Sequence, residues 1–321
     1  MKRGHKALSV LSVILVAVVL LRVLGGKDGL LAHPKAAALL VFFQTGRDVT
    51  DLQETRPPVP PETLPPETPN SPVIFSLWEG QALRLESRCA YGIQREKWLQ
   101  MPLSWDLTEG TKVLIVHTHT TESYTKQDNY EETTDYRTLN EDYNMIAIGQ
   151  RVADLLRAGG VEVIHDKTLH DYPQYNGAYD RSRETIRQCL EKYPDVTLVL
   201  DLHRDAAEDA NGNQTATSIT VDGKKTAQLM LVVGSDAGGL YHPNWQENMA
   251  LSMKMQMMLE RLAPGICRQL TLRESRYNQD LTAGTLLVEV GSAGNTQQEA
   301  FAAADILAQA ILSLAHGAVV Q

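Results

Sequence analysis

The chain has 321 residues, a 43% hydrophobic fraction and a formal net charge of −9, which is ample apolar material for the core of one large domain or two small ones. Its first 26 residues carry four cations (Lys2, Arg3, Lys6, Arg22) and no acid, so the remainder is more acidic still and lacks the basic face that a nucleic-acid partner requires. Three cysteines, Cys89, Cys189 and Cys267, stand far apart without a CxxC pair; they build neither a disulfide framework nor a thiolate zinc knot, and read as small buried apolar side chains.

Behind Lys2, Arg3 and Lys6 runs an almost wholly apolar stretch over 7–21, extended past Arg22 by 23–26. At about 1.5 Å rise per residue this helix approaches the roughly 30 Å hydrocarbon core, with Arg22 near enough to one end to snorkel. Residues 1–26 are therefore expected to be a single-pass membrane anchor with its N-terminus in the cytoplasm and the following chain exported. A cleaved signal peptide is the competing reading, but no small-x-small site directly follows the run. Residues 27–55 form a membrane-proximal segment, whose apolar stretch 36–43 is too short to span a bilayer. Residues 56–72 hold eight of the fourteen prolines (RPPVPPETLPPETPNSP), a composition that gives an extended stalk. Residues 73–321 are expected to be the extracytoplasmic catalytic domain.

Within that domain, continuous apolar runs at 112–116 (KVLIV), 161–164 (VEVI), 196–200 (VTLVL), 228–233 (QLMLVV) and 285–290 (TLLVEV) predict strands buried on both faces. Between them, 143–158, 182–192, 246–262 and 297–314 carry helical periodicity, and Gly159-Gly160 closes the first of these. The methionine-rich 252–258 (SMKMQMM) reads as a packed helix face. Residues 209–225, with NGN and DGK turns around SITV, read as an inserted hairpin or loop. Alternating strands and helices predict an α/β fold, a mostly parallel twisted sheet with helices on both faces.

In open α/β sheets, ligands bind beyond the carboxyl ends of the strands. Three predicted strands bring chemistry-bearing residues to that edge. KVLIV runs into His117, His119 and Glu122; VTLVL runs into Asp201, His203, Arg204 and Asp205; TLLVEV carries Glu289. Hydrolytic zinc sites take three protein ligands from His and Asp or Glu and leave a fourth position to water. His119, Glu122 and His203 can fill that set, with Glu289 as the proton-transferring carboxylate. His117 competes with His119 or stands behind a ligand to orient it, and Glu141 is a rival carboxylate ligand. Arg204 either steadies a developing oxyanion or a substrate carboxylate, or pairs with Asp201, Asp205 or Glu289. His165, His170 and His242 are read as bystanders.

The stretches 117–124 (HTHTTESY), 165–185 (HDKTLHDYPQYNGAYDRSRET), 201–206 (DLHRDA) and 288–295 (VEVGSAGN) resemble the stage II sporulation protein P family, from about Val113 to Ala315 together with the anchor. The resemblance implies an N-acetylmuramoyl-L-alanine amidase, also credited with endopeptidase cutting. It would act on peptidoglycan glycan strands and stem peptides, with sporulation proteins D and M, during forespore engulfment. It implies a fold similar to zinc carboxypeptidases, whose His-x-x-Glu, later His and late catalytic Glu match the order of His119, Glu122, His203 and Glu289. Other cell-wall amidases take their carboxylate ligand from the start of the helix after the first strand, where Glu141 stands, so Glu122 is preferred and Glu141 kept as the rival. Two other functions fit the same residues: a non-catalytic, metal-stabilised wall-binding module, and a zinc carboxypeptidase acting on peptides.

Overall fold

A computed structural model describes residues 83–101, 110 and 112–315. The expected anchor, membrane-proximal segment and stalk, with the first ten residues of the expected catalytic domain, lie outside the described residues. Among the described residues no helix is long and apolar enough to cross a membrane.

The elements follow in the order β1 (Leu85–Arg88), α1 (Arg95–Gln100), β2 (Lys112–Val116), α2 (Met145–Ala158), β3 (Glu162–His165), α3 (Ala178–Lys192), β4 (Leu198–Asp205), β5 (Ser218–Val221), β6 (Lys224–Ala227), β7 (Leu229–Val233), α4 (Trp245–Leu262), β8 (Leu270–Arg273), a 3-10 turn (Gln279–Leu281), β9 (Thr285–Ser292) and α5 (Gln297–Ala315). Seven strands form one sheet in the order β1-β8-β7-β9-β4-β2-β3. Every pairing is parallel except β7 with β9. The sheet is thus mostly parallel, as its apolar runs predict, but it consists of two parallel blocks joined along one antiparallel seam. β9, β4 and β2 are neighbours pointing the same way, so their carboxyl ends share one edge.

The strands bury both faces because helices lie on both. On one face Val113, Ile115, Leu198, Leu200, Leu202, Leu286 and Val288 join residues of α1, α2, α4 and α5 in the main core. On the other, Leu114, Val116 and Val199 pack on Ile186 of α3. Alternation along β4 then puts Val199, Asp201 and His203 on the α3 face, and that face carries the site.

Local rules explain the element ends. Asn144 caps α2, its side-chain oxygen accepting from Ile146 N, which satisfies one of the unpaired amides of the first turn. Helix α3 starts at Ala178, four residues ahead of the periodic stretch, because Gly177 at φ +78 turns the preceding loop into the helix. The expected insert is a hairpin over β5 and β6, closed by Asp222 and Gly223, both left-handed, the two-residue turn that matches strand twist. The methionine-rich helix face is buried as expected, but burial extends round α4 to Lys254 and Gln256. Lys254 Nζ donates to Leu99 O and Met101 O at 2.9 and 3.1 Å, capping the end of α1. All three cysteines are free; Cys267 is buried, and Cys89 and Cys189 are half-buried.

Candidate metal centre

Strand β2 stops at Val116, and the next six residues fold into a tight loop. Asp201 on the neighbouring strand makes the clamp: its carboxylate accepts from Thr118 N at 2.8 Å and from Thr118 Oγ1 at 2.6 Å. Thr120 Oγ1 donates back to His117 O at 2.8 Å, and Glu122 N to His119 O at 3.2 Å. The loop is thereby wound so that His119 and Glu122, three residues apart, both face β4. Two residues beyond Asp201, on the same strand face, stands His203.

The ligand-type atoms of His119, Glu122 and His203 lie within 4.8 Å of one another, and the latter two residues are buried. His119 Nδ1 is 3.5 Å from Glu122 Oε1, and His203 Nδ1 is 3.6 Å from Glu122 Oε2. Two atoms bound to a tetrahedral zinc at about 2.0–2.2 Å stand about 3.3–3.6 Å apart. Each imidazole stands at that separation from one of the two Glu122 oxygens, longer than an ordinary hydrogen bond. On its far side His203 Nε2 lies 3.0 Å from Asp201 Oδ1, an ion-pair contact without hydrogen-bond geometry, which leaves the opposite nitrogen, Nδ1, free to ligate. The residues present fit a divalent metal of the zinc type.

Electrostatics follow from burial and pairing. Burial alone would raise the Glu122 pKa, but Arg204, His119 and His203 hold it well below the usual carboxylate range. Burial would lower that of His203, yet Asp201 and Glu122 hold it well above. Glu289 is the contrasting case: burial pushes its carboxyl up to about 8, with Glu122 and Asp205 adding repulsion while His203 and Arg204 oppose. Its position comes from the sheet, because β4 and β9 pair His203 with Glu289 and directly paired strand residues project to the same face. Glu289 Oε2 is buried and has no hydrogen-bond partner among the described residues. Just past it, Gly291 takes φ +72 where the pairing with β4 shifts register; a Cβ there would meet Ala227 Cβ and Asn295 Oδ1 at 2.8 Å.

The structure brings His119, Glu122, His203 and Glu289 to one edge and separates their rivals. Glu141 is exposed, 4.0 Å from Lys167. His117 turns away: Nδ1 is 3.1 Å from Leu202 O, Nε2 is 2.9 Å from His165 Nε2, and burial takes its pKa to about 3. His170 holds His117 O and Thr185 Oγ1, while His242 is buried with neither nitrogen bonded among the described residues. Arg204 is buried, donating from Nε to Ser123 O at 2.9 Å and from Nη2 to Tyr136 O at 3.0 Å, with Nη1 3.7 Å from Glu122 Oε1. None of the partners expected for it, Asp201, Asp205 or Glu289, forms an ion pair with it; Asp205 pairs instead with Arg268 at 2.7 Å.

Several contributors escaped the sequence reading. Arg137 donates to Glu122 Oε1 at 3.2 Å and to Asp171, whose carboxylate also takes Thr121 N and Thr121 Oγ1. Tyr179, at the start of α3, packs its ring against His203 and His119, with centroids 6.4 and 5.5 Å away, and Tyr277 backs it at 5.7 Å. Asp201 was placed at the strand edge by the sequence, and its part behind His203 was legible there too, since it precedes His203 by one strand period. Arg137, Asp171 and Tyr277 reach the site from loops whose paths no local pattern encodes, and Tyr179 reaches it from the first turn of α3.

A family model described as stage II sporulation protein P matches residues 84–312. Stage II sporulation protein P of Bacillus subtilis (strain 168) is 28% identical over 219 residues, covering 63% of this chain and 52% of its own length. The chain thus spans about half the length of that curated relative. Among solved structures, it is similar to the N-acetylmuramyl-L-alanine amidase Ami1 from Mycobacterium smegmatis, at 12% identity and a TM-score of 0.42, covering 66% of this chain and 99% of that one. It is also similar to the CwlD amidase from Clostridioides difficile in complex with the GerS lipoprotein, at 15% identity and a TM-score of 0.39, covering 64% and 95%.

Proposed function

This chain belongs to the stage II sporulation protein P family, and from that premise we propose that it is a zinc-dependent peptidoglycan hydrolase of sporulation, an N-acetylmuramoyl-L-alanine amidase anchored by residues 1–26 and working outside the cytoplasm in forespore engulfment. The reading rests on one observation above the others: two imidazole nitrogens and a carboxylate converge at metal-ligand spacing, with an unpartnered buried carboxyl oxygen, Glu289 Oε2, on the neighbouring strand. A merely structural metal site would gain nothing from that oxygen, whose burial without a partner carries a cost of about 1–3 kcal/mol.

Bound zinc would polarise the scissile carbonyl and make an adjacent water acidic enough to be deprotonated near neutral pH. With the positive charge of a bound metal offsetting the burial that raises its pKa, Glu289 would take the proton from the attacking water and return it to the leaving nitrogen as the C–N bond breaks. The products are a carboxylate on the lactoyl group of the sugar and the free amine of the stem peptide. Asp201 orients His203, while Arg137 and the Arg204 backbone amide orient Glu122. In this reading Arg204 acts as a positioning residue, its guanidinium held by the Ser123 and Tyr136 carbonyls with Nη1 3.7 Å from Glu122 Oε1.

The test uses purified sacculi and the full-length protein, metal-stripped and then restored with zinc. Release of intact stem peptides from glycan strands should vanish on stripping, return with zinc, and be absent in Glu289→Gln. Cleavage indifferent to the metal would end the proposal. Single C-terminal residues as the product would assign a carboxypeptidase, and zinc and glycan binding without cleavage a wall-binding module.

A further inference from the structure

Residues 171–177 run past the metal centre as a loop held far more firmly than its length requires. At its start the Asp171 side chain is fully buried and accepts from Thr121 N at 3.1 Å, from Thr121 Oγ1 at 2.7 Å, and from Arg137. Along its path Arg181 of α3 donates to the carbonyls of His170, Gln174 and Asn176. At its end Gly177 turns left-handed into the helix. Between these ties the loop exposes two aromatic rings, Tyr172 at 44% and Tyr175 at 53%. Tyr175 stacks on His119, with centroids 4.7 Å apart and planes 28° from parallel, and the Arg137 guanidinium lies 4.8 Å from its ring centroid. Tyr175 therefore keeps more than half of its surface exposed to solvent while its ring lies against the ligand histidine.

We infer that the exposed ring of Tyr175 is a stacking platform for a pyranose ring of the glycan strand, which places the sugar side of the scissile amide over the 171–177 loop. The inference rests on the hydrolase reading above and adds which half of the substrate lies on which wall. The C–H face of a pyranose is apolar and faintly positive, and the face of a phenol ring is negative, so the two stack as aromatic rings and their edges do. The loop's exposed polar groups suit the same ligand. Gln174 and Asn176 are neutral amides able to bond hydroxyl and acetamido groups. The nearby cations are already engaged, Arg181 on backbone carbonyls and Arg137 on Glu122 and Asp171. A wall that received the carboxylate-bearing stem peptide would be expected to offer a free guanidinium or ammonium; this one offers aromatic surface and amides. The rigid tethering also means that little conformational freedom is lost on binding.

The experiment pairs binding with cleavage in the full-length protein. Binding uses a peptide-free tetrasaccharide of alternating N-acetylglucosamine and N-acetylmuramic acid, which an amidase does not consume. Tyr175→Ala should weaken its Kd about tenfold, the loss of one stacked ring, and Tyr175→Phe should retain it. Cleavage compares a glycan-bearing stem peptide with the same peptide carrying only a lactoyl group; Tyr175→Ala should lower kcat/KM on the first about tenfold more than on the second, through KM. Unchanged tetrasaccharide affinity in Tyr175→Ala, or equal losses on both substrates, would overturn the platform and assign Tyr175 to shielding His119. Failure of the parent protein to cut either substrate would count against the hydrolase reading instead, and the tetrasaccharide titration would still decide the platform.

Discussion

Replacing Asp201 by asparagine separates the structural task of this side chain from its electrostatic one. Asp201 Oδ1 receives Thr118 N at 2.8 Å and faces His203 Nε2 at 3.0 Å, while Oδ2 receives Thr118 Oγ1 at 2.6 Å. An amide keeps Oδ1 and exchanges Oδ2 for a donor. Thr118 Oγ1 also lies 2.8 Å from Ser182 Oγ, so its hydrogen can turn to Ser182 and the hydroxyl can accept from the new amide. Every hydrogen bond then survives, and the fold and its far-UV circular dichroism should be unchanged. What disappears is the negative charge behind His203. Loss of such an outer partner weakens a metal site about 10–100-fold, equivalent to about 1.4–2.7 kcal/mol. The assay is competition for zinc against a chromophoric chelator at fixed pH. An Asn variant that keeps its fold and binds zinc within about threefold of the parent would refute the role given to Asp201, and one that fails to fold would refute the proposed hydrogen-bond exchange.

Glu122→Gln should cut zinc affinity by at least that much, whereas Glu141→Gln, altering an exposed carboxylate beside Lys167, should leave it within about twofold; chelator competition on both variants discriminates the two candidate ligands directly. Glu289 provides a pH signature in the metal-stripped protein. Its folded pKa is raised from 4.5 to about 8, so the native state binds the extra proton in that window and its contribution to stability is lost as pH rises through it. Glu289→Gln removes this slope, and its gain in melting temperature over the parent should therefore be larger at pH 8 than at pH 5. A gain that is flat or reversed with pH would contradict the burial of that carboxyl. Asn144→Ala removes the α2 cap bond to Ile146 N at 2.9 Å and should cost about 1 kcal/mol, a fall of about 2–4 °C in Tm for a domain of this size, measured by calorimetry.

Much of the fold was legible because its strands are buried on both faces. KVLIV, VTLVL and TLLVEV show unbroken apolar runs for that reason, and each lies within or overlaps an observed strand of the central sheet. Their carboxyl ends could therefore be read as one edge from the residues alone. The short outer strands were not legible: LESR and LTLR mix charged and apolar residues over four positions, too few for a period to emerge. The antiparallel seam between β7 and β9 escaped for a different reason. Local composition records burial, and strand direction is set by the path of the connections.

The same division runs through the site. The kinds of atom available at the edge, imidazole nitrogen and carboxylate oxygen, and their order along the chain follow from the residues alone, because strand ends and donor chemistry are local properties. Which of them converge is a tertiary matter. His117 and His119 differ by two positions, yet one bonds His165 and the other faces Glu122, because the Thr118–Asp201 clamp winds the loop between them. Glu122 and Glu141 are equally good ligands in isolation, and only the packing of β2 beside β4 brings the first of them within reach of His203.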